Sequence, residues 1–199
     1  MTTPTTDRRS LIVDSAIDLI AAQGLRALTH RALDTALDLP AGSTSYYFRT
    51  RRALLEGIVE RIATRSRTDF ADRQPEMDET REDLDVDRLA RGTATWLDRL
   101  LAQRRNHLIT RHALIVELLG DAELHEKLVG CLFSHRHATA LFETLGATDP
   151  ATAAADFIAV IEGLIFDRFA GARTGLQAGT AESVRQLTAV LAVQLRAAS

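Results

Sequence analysis

Between Thr29 and Phe48 the chain fits two short helices separated by a four-residue turn, and few folds accommodate that arrangement. Thr29 is a suitable N-cap, and Ala32, Leu33, Ala36 and Leu37 follow it at helical spacing. The turn covers residues 38–41, with Pro40 well placed near the start of the next helix. That helix, Gly42 to about Phe48, carries Ser43, Thr44, Ser45, Tyr46 and Tyr47, which are too polar for a helix wrapped in core. A short polar helix braced by the one before it has the geometry that enters a DNA major groove, where the hydroxyls of Ser43, Thr44, Ser45, Tyr46 and Tyr47 can donate to phosphates or read bases.

The flanking sequence is helical throughout. Residues 1–7 read as a frayed tail. From Arg8, the residues Ile12, Ala16, Leu19, Ile20 and Gln23 trace one helical face, and Gly24 stops it. A fourth helix runs from about Thr50 to Ala71 on Leu54, Leu55, Ile58, Val59 and Ile62. The acidic stretch 74–83, with Pro75, reads as a loop. Further helices are expected at 84–103, 105–119, 122–145, 150–173 and 180–197. No stretch alternates at two-residue period long enough for a strand, so the fold class is all-α, with about nine helices. The expected organisation is a tail (1–7), a helix-turn-helix domain (8–52) and a helical body (53–199).

Charge is informative through its distribution. The whole chain carries a formal charge of -3, which taken alone argues against a nucleic-acid partner. Residues 1–52, however, hold seven arginines against five aspartates, while the rest holds 17 basic and 22 acidic residues. Arg49, Arg51 and Arg52 lie where phosphates flanking a bound groove would pass, and the guanidinium of Arg31 can fork onto a guanine edge. Each also has a plainer reading: the arginines as a solvated face, the Tyr46-Tyr47-Phe48 cluster as core. For Phe48 the core reading is preferred.

At these residues the sequence resembles the tetracycline repressor family. The resemblance is carried by Leu28-Thr29-His30-Arg31-Ala32-Leu33, Gly42-Ser43-Thr44-Ser45-Tyr46-Tyr47-Phe48 and Arg51-Arg52-Ala53-Leu54-Leu55, with Ile12-Val13-Asp14-Ser15-Ala16, Leu19-Ile20 and Gly24 similar to the family's first helix. It covers roughly residues 8–60 without insertion. It implies that Thr29 caps the second helix and touches a phosphate, and that Arg31 occupies a base-contacting position. It also implies that Ser43, Ser45 and Tyr46 lie on the recognition helix and that Tyr47 and Arg51 hold phosphates. Three positions depart from the family pattern: Asp38 stands at the usual turn glycine, Thr44 at an aliphatic, and Ser45 at a tyrosine. By the same resemblance the last two helices form a four-helix dimer interface, expected here on Phe157, Ile161, Gly163, Leu164, Leu187 and Leu191.

In the body, Trp96, Arg111, His112, His135 and Phe142 stand out on apolar stripes and are the candidate lining of an effector pocket. Arg104, Arg105, His107, Arg111 and His112 make their segment basic enough to suit an anionic ligand. The plainer alternative is that they pair with Glu117, Asp121 or Asp167. Cys131 and His135 are four apart on one expected helix, but two ligands are too few for a closed metal site. The single cysteine excludes an internal disulfide framework.

There is no di-iron signature, Gly-rich phosphate loop, H-E-x-x-H or G-x-S-x-G motif, so neither an enzyme, a metal nor a cofactor is expected. No apolar run is long enough to span a bilayer, and no secretory signal is recognisable, so the expected location is the cytoplasm, away from membranes. The resulting expectation is a repressor that binds a palindromic double-stranded DNA operator as a homodimer and responds to a small molecule. Two readings stay open beside it. One is a regulator without a small ligand, including an activator. The other is a helical enzyme or ligand carrier with a vestigial DNA-binding segment.

Overall fold

The computed structural model describes residues 5–71 and 85–197. Among the described residues every regular element is helical. The order is α1 (Thr5–Gln23), a 3-10 turn (Leu25–Ala27), α2 (His30–Ala36), α3 (Ser43–Tyr47), α4 (Arg51–Ala71), α5 (Val86–Gln103) and α6 (Arg105–Glu117). It continues with α7 (Ala122–Leu132), α8 (His135–Thr144), α9 (Pro150–Ala170) and α10 (Ala181–Ala197). The all-α architecture is as expected. Helix α1 already begins at Thr5, inside the stretch read as a tail, and residues 1–4 lie outside the described residues. So does the whole stretch 72–84, including the acidic loop expected at 74–83.

One expected helix is two. The segment 122–145 breaks after Leu132, where Phe133 turns inward and Ser134 caps α8 by accepting the His137 N–H at 3.4 Å. The apolar stripe continues across the break, which is why periodicity alone does not reveal it. Elsewhere the ends follow local chemistry. Asp149 accepts the Thr152 N–H with Pro150 in the first turn of α9, and Thr50 accepts the Ala53 N–H at the start of α4. Helix α8 stops where Gly146 takes a left-handed φ of 78°.

The chain forms two compact units. The first comprises residues through Ser66 together with Asn106–Cys131. Its core joins Ile12, Val13, Ala16, Ile17 and Ile20 of α1 to Leu54, Leu55, Ile58, Val59 and Ile62 of α4. Leu114 and Leu118, with Leu124 and Leu128 of α7, complete it. Packing therefore does not follow a boundary at residue 52. Three short helices cannot bury enough apolar surface alone, and each aliphatic side chain buried by α4, α6 and α7 contributes about 1.5–3 kcal/mol. Polar ties reinforce the join: the Thr110 hydroxyl donates to the Ile17 carbonyl (2.9 Å) and Arg111 Nε to the Leu128 carbonyl (3.0 Å).

The second unit comprises Arg67–Arg105 and Leu132–Ser199. Helix α10 packs along α5, and α9 along α8. Inside it lies a buried polar network. Asp98 accepts hydrogen bonds from the Ser183 hydroxyl and from the Gly179 N–H, while Arg168 donates to that hydroxyl and to the Leu176 carbonyl (2.8 Å). A buried guanidinium and carboxylate are tolerated because each finds hydrogen-bonding partners. The network also fixes the α9–α10 connection, where Gly179 has φ 79°.

Candidate nucleic-acid interface and effector cavity

Helix α3 has five residues, too few to be stable alone. Its ends are held by other elements. At the N-terminal end the buried Asp34 carboxylate of α2 accepts the Gly42 N–H (2.8 Å), the Thr44 N–H (2.8 Å) and the Thr44 hydroxyl (2.6 Å). These bonds, the Thr44 hydroxyl's above all, hold the Asp34 carboxyl below its ordinary range against the opposing effect of burial. At the C-terminal end Arg9 donates to the Tyr47 carbonyl (2.9 Å) and His30 Nε2 to the Phe48 carbonyl (2.8 Å). Phe48 is the anchor, 1% exposed, with the Arg9 guanidinium 4.4 Å above its ring.

The turn keeps the backbone that glycine usually supplies. Asp38 has φ 50°, and the Leu39 and Asp38 N–H groups bond the Asp34 and Thr35 carbonyls. This is a Schellman end to α2, and aspartate is among the few residues that tolerate it.

The expected contact residues divide into three groups. Thr29, Arg31, Tyr46 and Arg49 are exposed, Tyr46 at 76%. Thr29 caps α2 through the Ala32 N–H (3.1 Å), and Tyr46 stacks edge-on with the half-buried Tyr47. Ser43 and Ser45 are half-buried and donate their hydroxyls to the Pro40 and Gly42 carbonyls. Thr44 is a correction. It is fully buried, so it fills the aliphatic position as core and spends its hydroxyl on Asp34.

Two of the arginines are likewise engaged within the first unit. Arg51 donates to the Leu28 carbonyl (3.1 Å) and lies 4.0 Å from Glu117. Arg52 pairs with Glu56, Asp121 and Glu123. Arg9, His30 and Asp34 escaped sequence reasoning. A charge at a helix position that is otherwise buried was the available signal for Asp34.

The expected effector residues fall in both units: Arg111 and His112 in the first, Trp96, His135 and Phe142 in the second. Arg111 is buried at 1% in the first unit, and His112 there bonds the Leu108 carbonyl of its own helix. His107 is also in the first unit, where burial holds its imidazole below the usual range. Of the acidic partners considered, Glu117 lies near Arg51, Asp121 pairs with Arg52 and Asp167 pairs with Arg173. His135 is exposed at the start of α8, on a different helix from Cys131. Phe142 is fully buried against Phe157. Of the five, Trp96 lines an apolar cavity.

That cavity lies within the second unit and measures about 510 Å3, part of it open to solvent. Its wall is apolar: Phe70, Leu89, Trp96, Phe133, Phe157 and Ile161, with Thr93, Ser134 and His137 as the polar groups. Such a lining, with few polar groups, is typical of small-molecule sites. His137 stacks on Phe70 with ring centres 5.0 Å apart. Among the described residues no three His, Cys, Asp or Glu side chains converge as a metal site, and no helix is long and apolar enough to cross a membrane.

The expected dimer residues also need correction. Phe157, Ile161, Leu164, Leu187 and Leu191 are all at most 8% exposed, turned into their own unit. The open faces are Ala155, Ala159, Gly163 and Phe166 on α9, and Ala189 and Val193 on α10. The most apolar stripe of each helix is consumed by its own core, and a sequence ranks that stripe first.

Solved structures match this fold over more than nine-tenths of the chain. A member of the TetR family from Streptomyces coelicolor A3 superposes with a TM-score of 0.66 at 23% identity, covering 93% of this chain and 98% of that one. A transcriptional regulator from Rhodococcus sp. Rha1 gives 0.70 at 15% identity, covering 96% and 95%. The multidrug binding protein EbrR, solved with malachite green, gives 0.66 at 21% identity, covering 94% and 98%. No curated protein matches the chain. The family model described as "Tetracyclin repressor-like, C-terminal domain" matches residues 84–192, more than half of the sequence. The chain therefore belongs to the tetracycline repressor-like family.

Proposed function

We propose that this protein is a transcriptional regulator that binds a palindromic DNA operator as a homodimer and is released from it by a small molecule. The observation that carries the reading is α3. A helix too short to stand alone is held at both ends, and what it leaves exposed is Tyr46 with Arg31 and Arg49 nearby in sequence. Folding chemistry does not need an exposed tyrosine on a pinned five-residue helix; groove recognition does. Arg31 and Tyr46 face base edges, with Ser43 and Ser45 as acceptors. Thr29, Tyr47, Arg49 and the outer edge of Arg51 take phosphates.

The small molecule enters the Trp96 cavity of the second unit. Phe70 on its wall belongs to the last turn of α4, whose first turn carries Arg51 and its bond to the Leu28 carbonyl beside the α2 cap. One continuous helix of 21 residues thus joins the ligand wall to the DNA-binding segment. The ligand acts through its higher affinity for the arrangement of α4 that does not fit DNA. The multidrug binding protein EbrR, similar in fold, was solved with ethidium, proflavin and malachite green, which supports a small-molecule ligand for this chain.

Gel-shift assays with the intergenic DNA beside the gene test the reading. Saturable binding to one fragment, at least about a hundredfold tighter than to random duplex and weakening steeply with salt, is expected. Equal affinity for every duplex would overturn it. Arg31→Ala should flatten sequence preference, whereas Arg49→Ala should weaken all duplexes alike.

A further inference from the structure

A second pocket in the second unit shares Trp96 with the first, and it differs in kind from the apolar cavity. It measures about 460 Å3, part of it open to solvent, and is lined by Asp69, Trp96, Arg99, Leu100, Gln103 and Arg104. Here Arg104 grips Asp69 in a two-pronged ion pair, Nε to Oδ2 at 3.1 Å and Nη2 to Oδ1 at 3.2 Å. The pair is largely buried, with side chains 22% and 14% exposed. A guanidinium has five N–H donors. Asp69 takes two and the Gln103 carbonyl one (3.3 Å), so two remain. Arg99, exposed at the same pocket, adds a second guanidinium. Among the described residues that line it, two cations against one carboxylate leave one positive charge in excess, with Trp96 and Leu100 beside them.

We propose that this pocket binds a small monoanion with an aromatic or apolar body, its carboxylate held by Arg99 and the free edge of Arg104 beside Asp69. The indole of Trp96 and Leu100 cover the body, and Gln103 supplies an amide at the rim. Of the basic side chains that sequence alone offers for an anion, Arg111 and His112 belong to the first unit, and Arg104 lines this pocket. A bound carboxylate shares the guanidinium that Asp69 uses, so it loosens the tie between the last turn of α4 and the end of α5. Binding stands apart from the regulator reading; only its consequence for DNA rests on that reading.

Trp96 is the only tryptophan and lines both this pocket and the apolar cavity, so its fluorescence reports binding and the Arg99→Gln variant assigns that binding to this pocket. The full-length protein is titrated with benzoate, and with benzyl alcohol as the neutral match. Benzoate should produce a saturable change, with the alcohol at least about tenfold weaker. Arg99→Gln, which leaves the Asp69–Arg104 pair intact, should weaken benzoate about fivefold or more at an unchanged melting temperature. Asp69→Asn should tighten it about tenfold, a gain that no purely structural role for Asp69 predicts. Indistinguishable responses to the two probes, no saturable response to benzoate, or unchanged affinity in folded Arg99→Gln would overturn the proposal. So would weaker binding in folded Asp69→Asn. Failure to bind any duplex in a parallel gel shift would instead sink the regulator reading and leave the benzoate titration standing.

Discussion

At the scale of single residues, Asp34 and Asp38 do opposite work in one turn. Asp34 is a buried charge that lowers its own free energy through three hydrogen bonds to the start of α3. Asp34→Asn presents N–H groups where acceptors are needed, and should destabilise the protein by about 1–3 kcal/mol. The effect has a pH signature. Because the folded pKa is below the unfolded one, the carboxylate's contribution is complete above the ordinary value near 3.8 and fades as pH falls through the folded value. Urea unfolding followed from about pH 6 downward should show the gap between wild type and Asp34→Asn begin to narrow once the pH falls below the ordinary carboxylate value; a gap that stays constant as the acid limb is extended would refute the assignment. Asp38, by contrast, sits at φ 50° with a modest strain. Asp38→Gly should raise stability by about 0.5 kcal/mol, since strain relief slightly exceeds the added entropy of the unfolded chain, while Asp38→Val should lower it by at least about 1 kcal/mol. The departure from glycine at this position is legible in the sequence. That the backbone is nonetheless unchanged is not, because left-handed tolerance is a property of the whole turn.

At the scale of elements, helix propensity and packing disagree at Gly57, and packing should win. A Cβ built there would lie 3.0 Å from the Phe48 ring and 3.2 Å from Val13. Phe48 cannot retreat, being 1% exposed with Arg9 on its ring. Gly57→Ala should therefore cost about 1 kcal/mol net, although alanine adds nearly that much helix propensity. Gly92, also inside a helix but with nothing within 4 Å, is the control: Gly92→Ala should stabilise by up to about 1 kcal/mol. Thermal melts of the two variants should move in opposite directions. The pair also marks what was legible. Helix existence follows from period and caps, and α1, α2, α4 and α9 fall close to expectation for that reason. What escapes is contact between elements: the close approach of α4 to Phe48, the Arg9 and His30 bonds to α3, and the break at Ser134 within an unbroken apolar stripe. The contacts at Phe48, Arg9 and His30 depend on residues far along the chain, which nothing local encodes; the break is capped locally, by Ser134 on the His137 N–H, and is hidden because the apolar stripe runs across it.

At the scale of the whole molecule, the proposed dimer and the proposed DNA binding make one joint prediction. The faces left open on α9 and α10 include Phe166 at 49% and Val193 at 66% exposure, whereas Leu191 is fully buried. If the open faces pair two copies, Val193→Asp should yield a folded monomer by size-exclusion chromatography with light scattering. Leu191→Asp should instead unfold the second unit, because a carboxylate placed in its core has no partner. A folded, dimeric Val193→Asp protein would move the interface elsewhere. The same variant separates two contributions to operator affinity. A dimer on a palindrome engages its second half-site intramolecularly, so the monomer should bind about 10²–10⁴ times more weakly without losing any contact of its own α3. Its dependence on salt should change as well. The slope of log affinity against log salt scales with the phosphates neutralised, so a monomer on one half-site should show about half the dimer's slope. A monomer that binds weakly with the full slope would mean that one copy already covers both half-sites. That outcome is incompatible with recognition by a single pinned helix per subunit, and it would require a different account of what Tyr46 and Arg31 do.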